Sequence, residues 1–336
     1  MHDAMQMRLD LLIPTLRRPP LLKRALASIA RAEPPRRLQV AVIVINNDTQ
    51  PELPGLDSTV ASLPFPTRVV YEPVSGKSAA LNAGIALSTA DYVGFIDDDE
   101  ELAAHWFRTL EDALEGGRLD FVGGPALPLA GVETPAWIPP DYSAVLGLAD
   151  GGPEERPYGR SFPGMLMGGN AVISRSMLTR VGGYSSDLGP RRDLRLFSCE
   201  DEDMYWRLVD AGAEGRYLPR LIVYHHLHPE RLRRNYYRAW CFWNGASKGV
   251  LSRRRPPTVP QIAGVPRYVF GDVTRKILAW LRASLRGRPG HLRMAAELAV
   301  WHLAGRLYGR HWNRAPRLRR APDLPSKSGN QTMATL

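Results

Sequence analysis

The chain has few of the features that mark secreted, disulfide-bonded or membrane-spanning proteins. It contains two cysteines, Cys199 and Cys241, in 336 residues. Two thiols without metal-ligand spacing exclude a disulfide framework and suit a reducing compartment. No run of about 18 apolar residues occurs, which argues against a spanning helix, and charged residues interrupt positions 1–13, where a secretory signal would need an apolar core. We therefore expect a cytoplasmic protein, and its 44% hydrophobic and 23% charged residues are typical of a globular one.

The positive charge is concentrated near the C-terminus. The net charge is +10, and residues 267–320 hold 13 Lys or Arg against Asp272 and Glu297. Apolar residues recur at helical spacing in 267–285 and 291–308, which predicts two basic amphipathic helices. Such helices bind anionic membrane surfaces, but they can equally pack on the rest of the protein with their arginines in solvent. No nucleic-acid-binding motif accompanies the charge, so we expect no nucleic acid partner.

Alternating strand and helix patterns predict an α/β fold with a mostly parallel central sheet flanked by helices. Polar residues follow three of the predicted strands, at Thr15, Asn46 and Asp97. In open α/β sheets ligands bind beyond the carboxyl ends of the strands, so these residues indicate a site. The patterns place strands at 9–13, 38–45, 69–71 and 92–96, and helices at 20–30 and 78–87.

An acidic block, Asp97 to Glu100, follows the strand at 92–96. If this segment is extended, Asp97 and Asp99 point the same way and offer hard oxygen ligands to one Mg²⁺ or Mn²⁺. Alternatively, residues 100–110 form a helix whose first turn is stabilised by the acidic side chains. These residues alone leave both interpretations open.

Two further clusters allow the same pair of interpretations. Glu200 to Asp203 precede an apolar helical pattern, so they are either a site or a favourable helix N-terminus. His225, His226 and His228 follow a strand-like run. Three histidines so close can bind a transition metal, although an oxygen-rich site prefers Mg²⁺ or Mn²⁺. The arginines at 231, 233 and 234 can contact phosphate or remain solvated.

Five motifs, in order and with fitting gaps, resemble those of family 2 glycosyltransferases across roughly residues 8–245. They are Ile13-Pro-Thr-Leu-Arg-Arg-Pro19, Gly76-Lys-Ser-Ala-Ala-Leu-Asn-Ala-Gly84, Phe95-Ile-Asp-Asp-Asp99, Gly168-Gly-Asn170 and Glu200-Asp-Glu-Asp203 through Arg207.

The resemblance implies the GT-A fold and a catalytic domain at 1–245. The charge and helical periodicity described above predict a basic helical extension at 246–320, and the polar, Pro- and Gly-containing composition predicts a disordered tail at 321–336. The resemblance also implies an inverting transfer of sugar from a nucleotide-diphospho-sugar to a hydroxyl of a saccharide or lipid-linked acceptor. With the basic helices, this predicts a peripheral enzyme at the inner face of the membrane. Alternatives are a sugar-nucleotide nucleotidyltransferase and a non-catalytic carbohydrate-binding or membrane-surface scaffold.

The resemblance also implies roles for individual residues. Asp97, Asp99 and His225 would hold Mg²⁺ or Mn²⁺, and Asp201 would be the general base, supported by Glu200 and Asp203. The family often carries aspartates where this chain has Asn46 and Asn47, so uracil, guanine and thymine donors all remain possible. The implied donor-binding residues are Pro14, Thr15, Asn46, Asn47, Lys77, Asn82, Asp97, Asp98, Gly169 and Asn170.

Overall fold

The structure is a computed structural model that describes residues 7–129, 134–193, 197–286 and 290–311. The strands are β1 Arg8–Thr15, β2 Gln39–Asn46, β3 Thr67–Tyr71, β4 Tyr92–Ile96, β5 Glu100–Leu102, β6 Phe121–Gly123, β7 Ala126–Pro128, β8 Arg156–Pro157, β9 Asn170–Ser174, β10 Gly215–Tyr217, β11 Val223–His225, β12 Gln261–Ile262 and β13 Val265–Pro266. The α-helices are α1 Pro19–Arg31, α2 Asp57–Ala61, α3 Lys77–Leu87, α4 Trp106–Glu115, α5 Arg175–Val181, α6 Glu200–Asp210, α7 Arg234–Arg254, α8 Arg267–Leu285 and α9 Leu292–His311. Short 3₁₀ helices occupy Pro140–Leu146 and Pro229–Leu232.

A mostly parallel sheet of eight strands lies at the centre, in the order β3-β2-β1-β4-β9-β6-β10-β8. Strands β1, β2, β3 and β4 are parallel neighbours, whereas β9 runs antiparallel to both β4 and β6. A small second sheet, β5-β11-β7, stands beside it. The predicted fold class is therefore confirmed.

Helices cover both faces of the central sheet because its strands are apolar on both sides. In β1, Leu11 and Ile13 pack with residues of α1 and α4, while Leu12 packs with residues of α3 and α6. Trp106 and Phe107 of α4 are fully buried in the first of these layers. The alternation fixes the register of β1 and so the position of Thr15 at its end.

The acidic block does not begin a helix. Glu100 begins β5, which pairs antiparallel with β11, and the helix that follows starts at Trp106. The alternative of a helix at 100–110 is therefore wrong. Extended geometry is wrong as well, because Asp97 to Asp99 form a turn closed by a hydrogen bond from the Glu100 amide to the Asp97 carbonyl, 3.2 Å.

The C-terminal helices are joined to the α/β region through α7, which crosses the predicted division between residues 245 and 246. Gly245 and Gly249 of α7 face α9, and Gly305 and Gly309 of α9 face α7. A Cβ atom at any of these four glycines would overlap backbone of the other helix, so the two helices pack at very short range. The chain has no linker at this point.

Both predicted C-terminal helices form, as α8 and α9. Within the described ranges, no helix combines the length and the apolar character that a membrane crossing requires. Residues 312–320 of the basic segment and the predicted tail at 321–336 lie outside the described residues.

Candidate functional site

The ends of β1, β4 and β11 meet at one edge of the fold and form a cavity of about 460 Å³. The Thr15 hydroxyl, at the end of β1, donates a 2.7 Å hydrogen bond to Asp98 Oδ2. Pairing of His225 with Glu100 brings β11 against the acidic turn, where the His226 amide donates to the Asp99 carbonyl at 2.8 Å. The sequence prediction that Thr15 and the acidic block share one sheet edge is confirmed.

Cations neutralise the carboxylates of the acidic turn. Lys77 Nζ lies 2.7 Å from Asp97 Oδ1. Arg18 Nη1 lies 2.7 Å from Asp99 Oδ2 and 3.3 Å from Asp98 Oδ1. Because each carboxylate has a cation close by, the turn can hold three adjacent acids in a largely buried place.

The carboxyl groups of this turn differ in their affinity for protons. Burial alone would raise the pKa of Asp99, but His225, Arg18 and Arg231 hold that pKa well below its usual range. Burial and the neighbouring Asp99 charge raise the pKa of Asp98 to about 7. Asp99 therefore stays ionised at physiological pH, whereas Asp98 can take up a proton near neutrality.

The donor types around Asp99 suit a divalent cation. His225 Nε2 lies 3.6 Å from Asp99 Oδ1, and His228 Nε2 lies 3.9 Å from Asp99 Oδ2. Neither His225 Nδ1 nor His228 Nε2 has a hydrogen-bond partner in the described chain. Carboxylate oxygens and imidazole nitrogens are ligands that Mn²⁺ accepts. However, no three His, Cys, Asp or Glu side chains among the described residues are grouped so that they could hold a metal ion. Arg18 pairs with Asp99 and Lys77 with Asp97.

Asp201 stands apart from the paired carboxylates. It lies in the first turn of α6, and its Oδ1 is buried without a hydrogen-bond partner among the described residues. Burial raises the pKa of Asp201, and the charge of Asp97 adds to this effect while Lys77 opposes it. A buried carboxylate with one free oxygen and a raised pKa is suited to accept a proton.

The Gly168-Gly169 pair makes room for two acidic side chains. A Cβ atom at Gly168 would overlap the carboxyl group of Asp201, and one at Gly169 would overlap that of Glu100. Glu100 in turn accepts the Asp97 amide through Oε2 at 3.0 Å. The family resemblance implied that Gly169 binds the donor, whereas in the structure both glycines let carboxylates approach the backbone.

Glu200 and Asp203 have different surroundings from Asp201. Burial and the Asp201 charge raise the pKa of Glu200 to about 8, against the opposing charge of Lys77. Asp203 accepts a 2.7 Å hydrogen bond from the Ser185 hydroxyl and a 3.0 Å bond from Arg207 Nε. Asp203 therefore fixes α6 to the loop after α5, while Glu200 shares the buried charge cluster of Asp201.

The predicted asparagines all bind the protein's own backbone. Asn46 Nδ2 donates to the carbonyls of Gln50 and Pro51, and Asn47 Nδ2 donates to those of Glu72 and Val74. Asn82 bonds the amide and carbonyl of Tyr184. These side chains brace loops, and of the three Asn47 also lines the cavity, together with Pro14 and Lys77.

Asn170 is fully buried, and its amide is occupied on both sides. Its Oδ1 accepts from Trp106 Nε1 at 3.0 Å, and its Nδ2 donates to the carbonyls of Pro125 and Leu221. A contact with a donor sugar would have to break these bonds, so the prediction that Asn170 binds the sugar finds no support in this geometry.

Arginines line the cavity to an extent that the sequence did not predict. Arg18 lies three residues after β1, and Arg231 follows β11. Arg192 donates through Nη2 to the carbonyls of Asn47, Asp48 and Pro73. With Arg191 and Lys77, these side chains form the cationic wall of the cavity. Two arginines shortly after a strand were a usable signal for Arg18, because that strand end already pointed to the site. Arg191 and Arg192 belong to no motif and could not be found in this way.

Backbone strain accompanies the site. Arg17 has φ +56° and Cys199, the residue before α6, has φ +74°. Such conformations in residues other than glycine cost about 1–3 kcal/mol and persist where the surrounding structure requires them. Here they set the chain direction just before Arg18 and just before Glu200.

Comparisons with known proteins find related glycosyltransferases. The family model described as "Glycosyl transferase family 2" matches residues 10–182. Pre-mycofactocin glycosyltransferase of Mycobacterium tuberculosis is 29% identical over 244 residues, which is 72% of this chain and 47% of that protein. Succinoglycan biosynthesis protein ExoM of Rhizobium meliloti is 34% identical over 134 residues, which is 39% of this chain and 43% of that protein. The chain therefore spans about half the length of these curated relatives.

A solved structure shares the overall fold. The mannosyltransferase PcManGT of Pyrobaculum calidifontis, in complex with GDP-Man and Mn²⁺, superposes with a TM-score of 0.57 at 17% identity, covering 93% of this chain and 89% of that one. At this level of identity the likeness shows the fold alone, and it confirms the GT-A fold.

Proposed function

Because this chain belongs to glycosyl transferase family 2, we propose that it moves a sugar from a nucleotide-diphospho-sugar to an acceptor hydroxyl, with inversion at the anomeric carbon and with a divalent metal. The observation that supports this most is the division among its carboxylates. Asp97, Asp98 and Asp99 form ion pairs with Lys77 or Arg18, whereas Asp201 has a buried oxygen without a hydrogen-bond partner among the described residues. In this proposal the acidic turn and its cations stabilise the leaving group, and Asp201 removes the proton.

Asp201 acts as the general base in this proposal. Its free Oδ1 takes the proton of the acceptor hydroxyl while the oxygen attacks the anomeric carbon on the face opposite the diphosphate. Because burial raises its pKa, the carboxylate is a stronger base than an exposed aspartate. Gly168, in the turn before β9, leaves room for the Asp201 carboxylate. Asp203 fixes α6, the helix that carries Asp201.

The cationic wall receives the departing nucleoside diphosphate. Arg18, Lys77 and Arg231 line the cavity and can bind phosphate oxygens through charge-assisted hydrogen bonds. Asp97, Asp99 and His225 are the residues that would hold Mg²⁺ or Mn²⁺, which neutralises charge on a leaving diphosphate. Glu100 holds the turn that presents these groups, through the Asp97 amide.

The donor and acceptor follow from the relatives as proposals. GDP-Man in the mannosyltransferase complex makes a guanine nucleotide sugar one donor to test, and uridine and thymidine donors stand beside it. The succinoglycan relative favours a saccharide or lipid-linked acceptor in polysaccharide synthesis. The positive charge of residues 267–311 supports a location at the inner face of a membrane.

A panel of nucleotide sugars tests the proposal. With Mn²⁺ and no acceptor, one GDP-, UDP- or dTDP-sugar should be hydrolysed slowly, and chelation of the metal should stop hydrolysis. Proton NMR of the first-formed sugar should show the anomer opposite to the donor's. Retained configuration, or equal hydrolysis in the presence of a chelator, would contradict the inverting, metal-dependent mechanism.

A further inference from the structure

Helix α8 is the least buried of the long helices near the C-terminus. It buries one residue, Val269, whereas α9 buries seven. Its predicted apolar stripe is covered only in part, and large apolar side chains also face outward. Tyr268 is 62% exposed, Leu278 45%, Leu281 46% and Leu285 89%.

The exposed leucines form a row with a row of arginines beside it. Leu278, Leu281 and Leu285 are spaced by three and four residues, so they lie on one side of the helix. Arg275 and Arg282 are exposed on the neighbouring line of the same helix, and Arg286, the first residue after the helix, is exposed as well. We call these six residues the outer face of α8.

The outer face carries uncompensated positive charge. The acidic residue of α8, Asp272, is already paired with Arg275 at 2.5 Å and with Lys276 at 3.2 Å. Arg282 and Arg286 have no ion pair among the described residues. Two copies of the chain that met through this face would bring arginine rows together, which disfavours self-association.

We propose that the outer face of α8 binds an anionic lipid surface. The leucines would enter the boundary between headgroups and acyl chains, and the arginines would keep their guanidinium groups among the lipid phosphates while their stems cover apolar surface. This deepens the membrane-surface part of the proposed function and assigns it to one helix face. Because α8 packs on α9, and α9 on α7, the lipid surface would be joined rigidly to the helix that begins three residues after Arg231.

Vesicle sedimentation of the full chain tests this assignment. Phosphatidylcholine vesicles with and without about 30% phosphatidylglycerol serve as probes, and we expect binding to the anionic vesicles alone, weakened by salt. The pair Arg282→Gln and Arg286→Gln removes the two arginines that have no ion pair in the described part of the chain and should lower partitioning about 25-fold, since each interfacial arginine contributes roughly fivefold. The triple change Leu278→Asn, Leu281→Asn and Leu285→Asn should lower it at least about tenfold.

Matched controls separate a local effect from a general one. Arg36→Gln with Arg180→Gln removes the same charge from exposed positions of the catalytic region, and Leu87→Asn removes one exposed leucine there. Both controls should bind vesicles as the parent does. Donor hydrolysis, measured on the same samples, should stay unchanged in every variant, so that a failure of membrane binding is distinct from a failure of the transfer mechanism.

Three outcomes would overturn the assignment. The first is equal binding to neutral and anionic vesicles, and the second is parent-like binding of the arginine pair variant. The third is a dimer in sedimentation velocity that the leucine substitutions dissociate, which would assign the outer face to a second copy of the chain.

Discussion

Replacing Gly168 with alanine places a methyl group where the carboxyl group of Asp201 now sits. The added Cβ would overlap Oδ1, Oδ2 and Cγ of that side chain at once. Restoring ordinary contact, about 3.5 Å between carbon atoms, moves the carboxylate by more than about 1 Å. Gly168 lies in the turn before β9, which is closed by a hydrogen bond from the Asn170 amide to the Met167 carbonyl, 3.1 Å. Because the atoms that the methyl group would overlap belong to the Asp201 side chain, that side chain has to give way.

The displacement should act on transfer more than on stability. A shift of about 1 Å in a reacting group costs on the order of 10²-fold in rate, whereas overpacking of this kind costs about 1–3 kcal/mol of unfolding free energy. We expect Gly168→Ala to bind nucleoside diphosphate as the parent does, since the cavity around Asp97 and Lys77 is untouched, and to lose transfer by at least about 10²-fold. Calorimetry and a single-turnover transfer assay measure the two quantities.

Two further variants complete this test. Gly117→Ala is the control, because a Cβ there meets no atom within 4 Å. Gly169→Ala displaces Glu100 and hence the Asp97 turn, so it should weaken diphosphate binding as well. Gly168→Ala with a parent-like transfer rate and a parent-like melting temperature would refute the role given to the Asp201 position.

The remaining predictions concern charge and packing. Asp99→Ala should abolish Mn²⁺-dependent binding of nucleoside diphosphate in calorimetry, and unchanged binding would remove Asp99 from the metal site. Burial and the Asp201 charge raise the pKa of Glu200 to about 8 in the folded protein, against 4.5 in the unfolded chain, so the folded state favours the protonated acid and stability is lost as pH rises through this window. Denaturant titrations should show the parent losing up to about 1.4 kcal/mol per pH unit relative to Glu200→Gln. Parallel curves would contradict the shift. Gly309→Ala should destabilise the protein by about 1–3 kcal/mol, because the added Cβ meets the Ala246 carbonyl. Gly271→Ala on α8 is the control, because its Cβ meets nothing within 4 Å and the change should be neutral or stabilising. Equal melting temperatures of the two variants would argue against close packing of α7 and α9.

Periodicity predicted the sheet and its functional edge because those features are local. Strand β4 is found at Tyr92–Ile96, as the pattern indicates, and Thr15 reaches Asp98 because adjacent parallel strands end together. The geometry of the acidic block was not predictable in this way. A turn rather than a strand forms at Asp97 to Asp99 because Glu100 and Asp97 are hydrogen-bonded to each other. The spacing of apolar and polar residues in the sequence gives no indication of such a bond.

Long-range contacts account for the other differences. Asn170 lies in a matching motif, but its partners Trp106, Pro125 and Leu221 are between 45 and 64 residues away in the chain. Arg192 reaches Asn47 across 145 positions. Residue type identified these side chains as polar and capable of binding, whereas only the fold determines whether a ligand or the protein's own backbone is the partner.

The most direct test of the account is the Asp201→Asn variant in single-turnover transfer, with donor affinity measured on the same protein. Asparagine keeps the shape of the side chain and removes its capacity to take a proton. We predict parent-like binding of donor and Mn²⁺ together with a loss of transfer of at least about 10²-fold, the scale of general-base catalysis. A near-normal transfer rate would contradict the assignment of deprotonation to Asp201.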